Sequence, residues 1–405
     1  MINRPSYLAQ ITPFINAPLI KVITGIRRSG KSTVLKLLQT QLLSQGIDKE
    51  QIIYINFESF SFNELKNSQK LYAFVLEKMT SENKYYLLLD EIQEVQDWEK
   101  AVNAFMVDAN VDIYITGSNS HLLSSELATY LAGRYVEIPI YTLSFKEFLD
   151  FKHAYAKDSH QQNLKLLLGE YLQKGGFPII HSNDYEQEII YKIVQDIYAS
   201  VILKDTVQRH KIRDIEMLER IIKYAFDNIG NTFSGKNVAD YFKSQQRKVD
   251  LNTVYNYLNA LVSAFILYRT ERYDIKGKEI LKTQEKFYLG DVSLLYAKMG
   301  FNANMIAGIL ENTVYLELKR RGYQVYIGKL NNQEIDFIAQ KQNYKLYIQV
   351  AYKLESEQTI RREFSPLQAI LDNYPKYVIT MDEFWQGNLD GIIHWHIADF
   401  FLADW

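Results

Sequence analysis

The run Gly25-Ile26-Arg27-Arg28-Ser29-Gly30-Lys31-Ser32-Thr33 lies between the apolar stretch Leu19-Ile20-Lys21-Val22-Ile23-Thr24 and the segment Val34-Leu35-Lys36-Leu37-Leu38. The order is strand, glycine loop, helix. Consecutive backbone N–H groups at such a helix start can wrap a β-phosphate, the Lys31 ammonium can bridge β- and γ-phosphates, and the Ser32 hydroxyl can ligate Mg²⁺. Every residue from Gly25 to Thr33 is therefore a candidate for nucleotide contact. A fortuitous glycine turn is the plain alternative, and the flanking strand and helix argue against it.

A site of this kind needs an apolar strand ending in acid, and Lys84-Tyr85-Tyr86-Leu87-Leu88-Leu89-Asp90-Glu91 supplies one. A strand buried on both faces reads as a continuous apolar run, and Asp90 at its carboxyl end would hold a Mg²⁺ shell through water. Glu91 can polarise an attacking water, which separates ATPases with a glutamate base from GTPases that position water with glutamine. The expected reaction is ATP hydrolysis. Alternatively, the two acids only cap a helix beginning near Ile92.

At 405 residues the chain is too long for one ordinary core, and two or three domains are expected. Its formal net charge of −2 gives no global field for nucleic acid or membrane, so any such surface must be local. The absence of cysteine rules out disulfides and thiolate metal sites, and fits a reducing cytoplasm. The start, Met1-Ile2-Asn3-Arg4-Pro5-Ser6-Tyr7, has no apolar leader core, and nowhere do about eighteen apolar residues run together. No membrane partner is expected.

Further apolar runs at Gln51–Glu58, Val111–Gly117 and Tyr135–Ile140 alternate with helical patterns, which predicts an α/β fold with a parallel sheet covered on both faces. The run at Gln51 inserts a strand between the glycine loop and the acidic strand. Ser118 and Asn119 follow the run at Val111 and would lie beside a γ-phosphate, where Asn119 can orient the lytic water; a simple turn is the alternative. Arg134 is the candidate finger arginine, since a guanidinium stabilises charge on a transferring phosphoryl group. It can act in its own site, across a subunit interface, or merely pair with a carboxylate.

Gly117-Ser118-Asn119-Ser120, Leu131-Ala132-Gly133-Arg134-Tyr135 and Leu143-Ser144-Phe145-Lys146-Glu147-Phe148 resemble a prokaryotic family of AAA-type ATPases with a C-terminal domain of unknown function. Gly175-Gly176-Phe177-Pro178, Tyr288-Leu289-Gly290-Asp291, Leu310-Glu311-Asn312 and Glu334-Ile335-Asp336-Phe337 extend the resemblance over nearly the whole chain. It implies a P-loop ATPase domain over 1–155, a helical lid or linker over 156–230, a winged helix-turn-helix over 231–295, and a nuclease-like α/β domain over 296–405. ATP and Mg²⁺ are the implied cofactors.

Residues point the same way in the middle of the chain. Capped helical patterns begin after Ser234 and after Asp250, and the basic segment around Gly277 reads as a β-hairpin wing. From Ser234 to Gly290 there are ten Lys and Arg (236, 243, 247, 248, 269, 272, 276, 278, 282, 286) against six acids. That modest surplus suits DNA. Yet the would-be recognition helix from Leu251 to Leu267 carries no Lys or Arg, leaving Asn252, Thr253 and Asn256 to read base edges, and protein contact is an equal alternative.

The last hundred residues resemble the restriction-endonuclease-like fold with its PD-(D/E)xK pattern, in incomplete form. Glu311 or Glu317 fits the helical acid and Asp336 the first strand, but the next strand reads Tyr347-Ile348-Gln349-Val350-Ala351-Tyr352-Lys353. Gln349 replaces the carboxylate and Ala351 the lysine. Lys353 shares their face about 7 Å per two residues along the strand and is the candidate substitute. Such a site is weak for water activation, so a degenerate fold without nuclease activity is expected. The sequence thus predicts an ATPase coupled to a DNA-associated tail; the alternatives are a signalling-type ATPase switch acting through protein partners or a homo-oligomer, and an ATP-gated metal-dependent nuclease.

Overall fold

Five short strands, β1 (Ile20–Thr24), β2 (Ile52–Asn56), β3 (Tyr85–Asp90), β4 (Val111–Gly117) and β5 (Tyr135–Pro139), form an all-parallel sheet in the order β2-β3-β4-β1-β5. The computed structural model describes residues 2–120, 133–155, 163–244, 249–300, 302–382 and 387–404; Leu131, Ala132, Arg247 and Lys248 of the sequence reading lie outside the described residues. Alternate side chains of the sheet feed two cores. On one face Val22, Ile55, Leu87, Leu89 and Ile115 meet helices α3 (Ser68–Lys78) and α4 (Trp98–Asp108) through Leu71, Val75, Val102 and Phe105. On the other, Ile23, Leu88 and Ile138 meet α1 (Pro5–Ile11) and α2 (Lys31–Ser44) through Tyr7, Ile11, Val34 and Leu38. Each such aliphatic side chain removed from water contributes roughly 1.5–3 kcal/mol, which is what the unbroken Leu87-Leu88-Leu89 run encodes.

Chain order and spatial order differ in one consequential way. The strand inserted in sequence between the glycine loop and the acids is β2, which lies at the sheet edge, whereas β4 lies between β1 and β3. The end of β4 therefore faces both motifs. Lys21 interrupts the apolar β1 run yet is fully buried, because it pairs with Asp112 of β4 and lies 4.5 Å from the Tyr114 ring centroid. Asp112 also accepts from Tyr114 Oη at 2.7 Å and from Asn16 N at 2.9 Å, so the buried pair is fully hydrogen-bonded.

The chain separates into two compact units, Met1–Ile140 with Ser263–Phe265, and Tyr141–Val262 with Ile266–Trp405. In the second, helices α5 (Phe145–Tyr155), α6 (Leu164–Lys174) and α7 (Gln187–Ser200) lead through a π-helix (Val201–Gln208) to α8 (Ile215–Asp227), α9 (Gly235–Ser244) and α10 (Leu251–Ser263). An eight-stranded sheet follows, in the order β12-β13-β11-β10-β9-β8-β6-β7. Its strands are β6 (Leu267–Asp274), β7 (Glu279–Leu289), β8 (Gln324–Leu330), β9 (Gln333–Lys341), β10 (Tyr344–Val350), β11 (Lys376–Thr380), β12 (Asn388–Leu389) and β13 (Ile392–His396). Helices α11 (Ser293–Met299), α12 (Ile306–Arg320), α13 (Glu357–Gln368) and α14 (Ile397–Leu402) complete it, with α12 buried from Ile309 to Leu318.

The hairpin expected as a wing is β6–β7, but β6 pairs in parallel with β8, Arg272 opposite Ile327. It is therefore the margin of the large sheet, and the expected division at 295/296 falls between strands of that one sheet. Two glycines of the resembled motifs serve packing. A Cβ on Gly175 (φ +74°) would lie 2.0 Å from Asp291 Oδ1, and one on Gly176 would lie 2.5 Å from Leu143 O. Asp291, buried, accepts from Gly176 N at 2.8 Å and Ser293 N at 2.9 Å. No helix among the described residues is long and apolar enough to cross a membrane.

Candidate active site

The glycine loop leaves β1 and enters α2 through two left-handed residues, Arg28 (φ +65°) and Gly30 (φ +102°). Gly25, with φ +144°, passes so close to the chain after β5 that a Cβ would lie 2.1 Å from Ile140 O; only glycine fits there. Lys31 begins α2, is buried, and its Nζ curls over the loop to Gly25 O at 3.1 Å and Ile26 O at 3.3 Å. Glu91 Oε1 lies 3.4 Å from the same ammonium. Ser32 and Thr33 are half-buried, and Ile26 is buried beneath the loop.

Asp90 and Glu91 are held by the neighbouring strands. Thr116 of β4 donates its hydroxyl to Asp90 Oδ1 at 2.6 Å and accepts from Glu91 N at 2.8 Å, so one side chain fixes both acids. Tyr54 of β2 donates to Asp90 Oδ2 at 2.9 Å; burial, and then the Asp90 charge, push the phenol upward, so it remains a donor. Glu91 takes a left-handed backbone (φ +57°), an uncommon conformation for a non-glycine residue that turns its side chain toward the loop. Burial alone would raise its carboxyl, but Lys31, the Gln93 amide and Arg27 outweigh that and hold it below the usual range. Glu91 is an anion at neutral pH. Ser118 and Asn119 follow β4 and are buried, and the register sets Gly117 beside Thr24, at the mouth of the loop.

Three of the remaining expectations are placed elsewhere or tied down. Arg27 pairs with Glu58 at the end of β2, and Arg28 is exposed. Arg134 precedes β5, whose Tyr135 pairs with Ile20 and Pro139 with Thr24. It therefore stands at the amino end of the sheet, about five strand rises or ~16 Å from the loop. That placement removes the reading in which Arg134 acts in its own site. Arg4, which the sequence did not single out, is buried and donates from Nη1 to Ser29 O at 2.8 Å, with its guanidinium 4.5 Å from the Tyr7 ring centroid.

The donor set fits a magnesium-bound nucleoside triphosphate. Ser29 Oγ is buried without a hydrogen-bond partner among the described residues, a hydroxyl left aimed within a glycine loop that also carries an ammonium. Lys31, the loop N–H groups and Ser29 could hold phosphates, and Ser32 with Asp90 could hold the metal.

In the second unit Glu311, Asp336 and Gln349 do come together. Asp336 donates its N–H to Gln349 Oε1 at 3.1 Å and accepts from Val350 N at 2.8 Å. Glu317, the other helical candidate, instead binds Arg320 at 3.1 Å and Arg321 at 2.8 Å. Lys353 is not in the cluster: it is 41 % exposed and lies 3.6 Å from Glu355. The cation present is Lys286 of β7, buried, with Nζ 2.9 Å from Glu311, 2.8 Å from Glu334 and 3.8 Å from Asp336. Burial would lower its ammonium, but the three carboxylates raise it, while burial and the Glu311 charge raise Asp336 well above the usual range. Among the described residues no group of His, Cys, Asp or Glu is arranged to hold a metal ion.

A family model described as an AAA domain matches residues 17–149, and a domain of unknown function matches 165–304. An uncharacterized protein of Haemophilus influenzae is 42% identical over 403 residues, covering 99% of both chains. The chain belongs to that protein's family. An uncharacterized protein of Methanocaldococcus jannaschii is 33% identical over 90% of this chain and 82% of its own. The match over residues 17–149 makes that part of this chain the AAA domain of a P-loop ATPase. The Aeropyrum pernix Orc1 protein in complex with DNA overlaps at a TM-score of 0.32 and 13% identity, over 74% of this chain and 92% of that one, too loosely to carry an inference.

Proposed function

We propose that this chain binds Mg-ATP at the ends of β1, β3 and β4 and hydrolyses it, and that nucleotide state governs a DNA-associated second unit. The observation that carries the hydrolytic reading is the convergence of Lys31 and Glu91 within 3.4 Å beneath a loop whose Ser29 hydroxyl lacks a partner. Glu91, held ionised and aimed by Thr116, accepts the proton of the attacking water. Asn119 orients that water, and Lys31 with the loop N–H groups stabilises charge developing on the phosphoryl oxygens. Ser32 and Asp90 would hold Mg²⁺, which supplies further neutralisation of the phosphate oxygens. Arg4 is a positioning residue that steadies the loop through Ser29 O.

A second reading, a nucleotide switch acting on protein partners, is favoured by the fate of the expected wing cations. Arg269 is 2.6 Å from Glu285, Arg272 faces Gln284 and Glu334, and Lys286 is enclosed by acids, so all three are spent within the fold. The same enclosure favours a nuclease-like domain without nuclease activity.

Steady-state phosphate release by wild type and Glu91→Gln, with and without duplex DNA at two salt concentrations, tests the proposal. Glu91→Gln is expected to lower turnover by about 10²–10⁴ while retaining nucleotide binding. An unchanged rate removes the glutamate-base reading, and a Glu91-dependent rate indifferent to DNA selects the protein switch.

A further inference from the structure

The surface of α10 supplies amides but no cations; the neighbouring segment supplies the cations. A groove of about 410 Å³ is lined on one side by His210, Lys211, Ile212 and Arg213, and on the other by Asn256, Tyr257 and Asn259 of α10. His210, Lys211, Arg213, Asn256 and Asn259 are all exposed. Among the described residues neither the Lys211 nor the Arg213 side chain is paired with an acid. Two acids lie nearby: Asp214, exposed beside Arg213 and Tyr257, caps α8 by accepting from Met217 N at 2.9 Å, and Asp205, buried, lies 3.9 Å from Arg209.

The segment is set by its backbone. The π-helix ends in a turn in which Ile212 N donates to Val207 O at 3.0 Å and His210 N to Thr206 O at 3.1 Å, with Lys211 left-handed at φ +52°. Glycine is the usual residue at such a left-handed position. Lys211 stands at that turn with its side chain exposed.

We infer that this groove clamps the phosphate backbone of duplex DNA, Lys211 and Arg213 neutralising phosphates while Asn256 and Asn259 of α10 reach the adjacent groove edge. The inference rests on the DNA reading above and deepens it by naming the surface. Two cations and a histidine opposite uncharged amides complement a polyanion rather than an acidic peptide's sparse charges. Among the described residues Tyr257 and His210 are the rings in the lining and lie on opposite sides of it, so there is no row of rings to stack successive unpaired bases, as single strands require. A helix carrying amides enters the wide major groove of B-form DNA but not the narrow one of RNA duplexes.

The test measures binding of the full-length protein to a fluorescent DNA duplex over a range of salt, for wild type, Lys211→Ala/Arg213→Ala, Asn256→Ala/Asn259→Ala and the remote control Lys192→Ala, with thermal melting to check each fold. Loss of two phosphate contacts is expected to weaken binding at least tenfold in low salt and to reduce the log–log salt slope by about 2. The amide variant should weaken binding with the slope retained. Wild-type binding with an unchanged slope in Lys211→Ala/Arg213→Ala overturns the groove and leaves the DNA reading standing. No wild-type binding even at low salt removes the DNA reading itself. Tighter binding to single strands, duplex RNA or a poly-glutamate peptide overturns the choice of occupant.

Discussion

Each unit buries a lysine among carboxylates, and the two clusters differ in what they leave unsatisfied. Around Lys31 there are one close carboxylate, two loop carbonyls and a partnerless Ser29 hydroxyl, all on a loop with left-handed turns. Around Lys286 there are three carboxylates, with Tyr288 donating to Glu311 at 2.6 Å and Thr232 to Glu334 at 3.3 Å. The first cluster has hydrogen-bonding capacity to spend on a ligand, and the second spends its capacity on the sheet that carries it. On the proposed reading the same residue types serve chemistry in one place and architecture in the other, the first marked by a free hydroxyl within a glycine loop and the second by an ammonium enclosed by three carboxylates.

The comparison breaks most visibly at Lys286. Lys286→Met leaves Glu311, Glu334 and Asp336 facing one another, and we expect a loss of about 3 kcal/mol in urea unfolding, the low end for a broken buried pair because Glu334 retains some water. Asp336 already protonates readily, so part of the loss should return at acid pH. If instead stability is unchanged and Mn²⁺ binding appears, the cluster is a blocked metal site and not architecture.

A slightly smaller effect should come from His181, another buried titrating group of the second unit. Its Nε2 donates to Gly175 O at 2.8 Å, its ring packs edge-on to Phe148, and burial lowers it to about 4. It is neutral inside the fold and protonates near 6.5 when unfolded, so the unfolded chain binds more protons between those values. Stability is full above pH about 6.5 and falls as pH drops toward about 4, by about 2 kcal/mol between pH 7 and 5. Urea midpoints at pH 7 and 5 for wild type and His181→Leu check this: equal pH slopes would show that His181 is not responsible.

The smallest effect should separate the two clusters most cleanly. Ser29→Ala removes a hydroxyl with no partner, so thermal stability should stay within about 0.5 kcal/mol of wild type, while ATP affinity falls several-fold, about 1 kcal/mol. A stability loss without an affinity loss would assign that hydroxyl to the fold.

The loop at Gly25–Thr33 and the Asp90-Glu91 pair were readable because each is one contiguous run whose flanking pattern states its own secondary structure. Asn119 followed from the end of an apolar strand. Arg4, Tyr54 and Thr116 were not readable, since each reaches the site only through the order of strands in the sheet or the fold-back of α1, and no local pattern encodes either. Glu311 and Glu317 share one buried helix, and only the partners brought by β7 and by Arg320–Arg321 tell them apart. The hairpin at β6–β7 was visible locally, but its pairing with β8 is set by residues far along the chain. Lys286 looked like a surface wing cation for that same reason.

That distant pairing has a consequence for synthesis. Arg272 must wait for Ile327 before β6 has its second neighbour. At ribosomal speeds of about 5–20 residues per second, the interval is roughly 3 to 11 s. Throughout it the nascent hairpin offers a bare strand edge to anything nearby. A pause in translation within that stretch, or an intruding strand from a second nascent chain, would therefore meet an edge of β6 that β8 later covers.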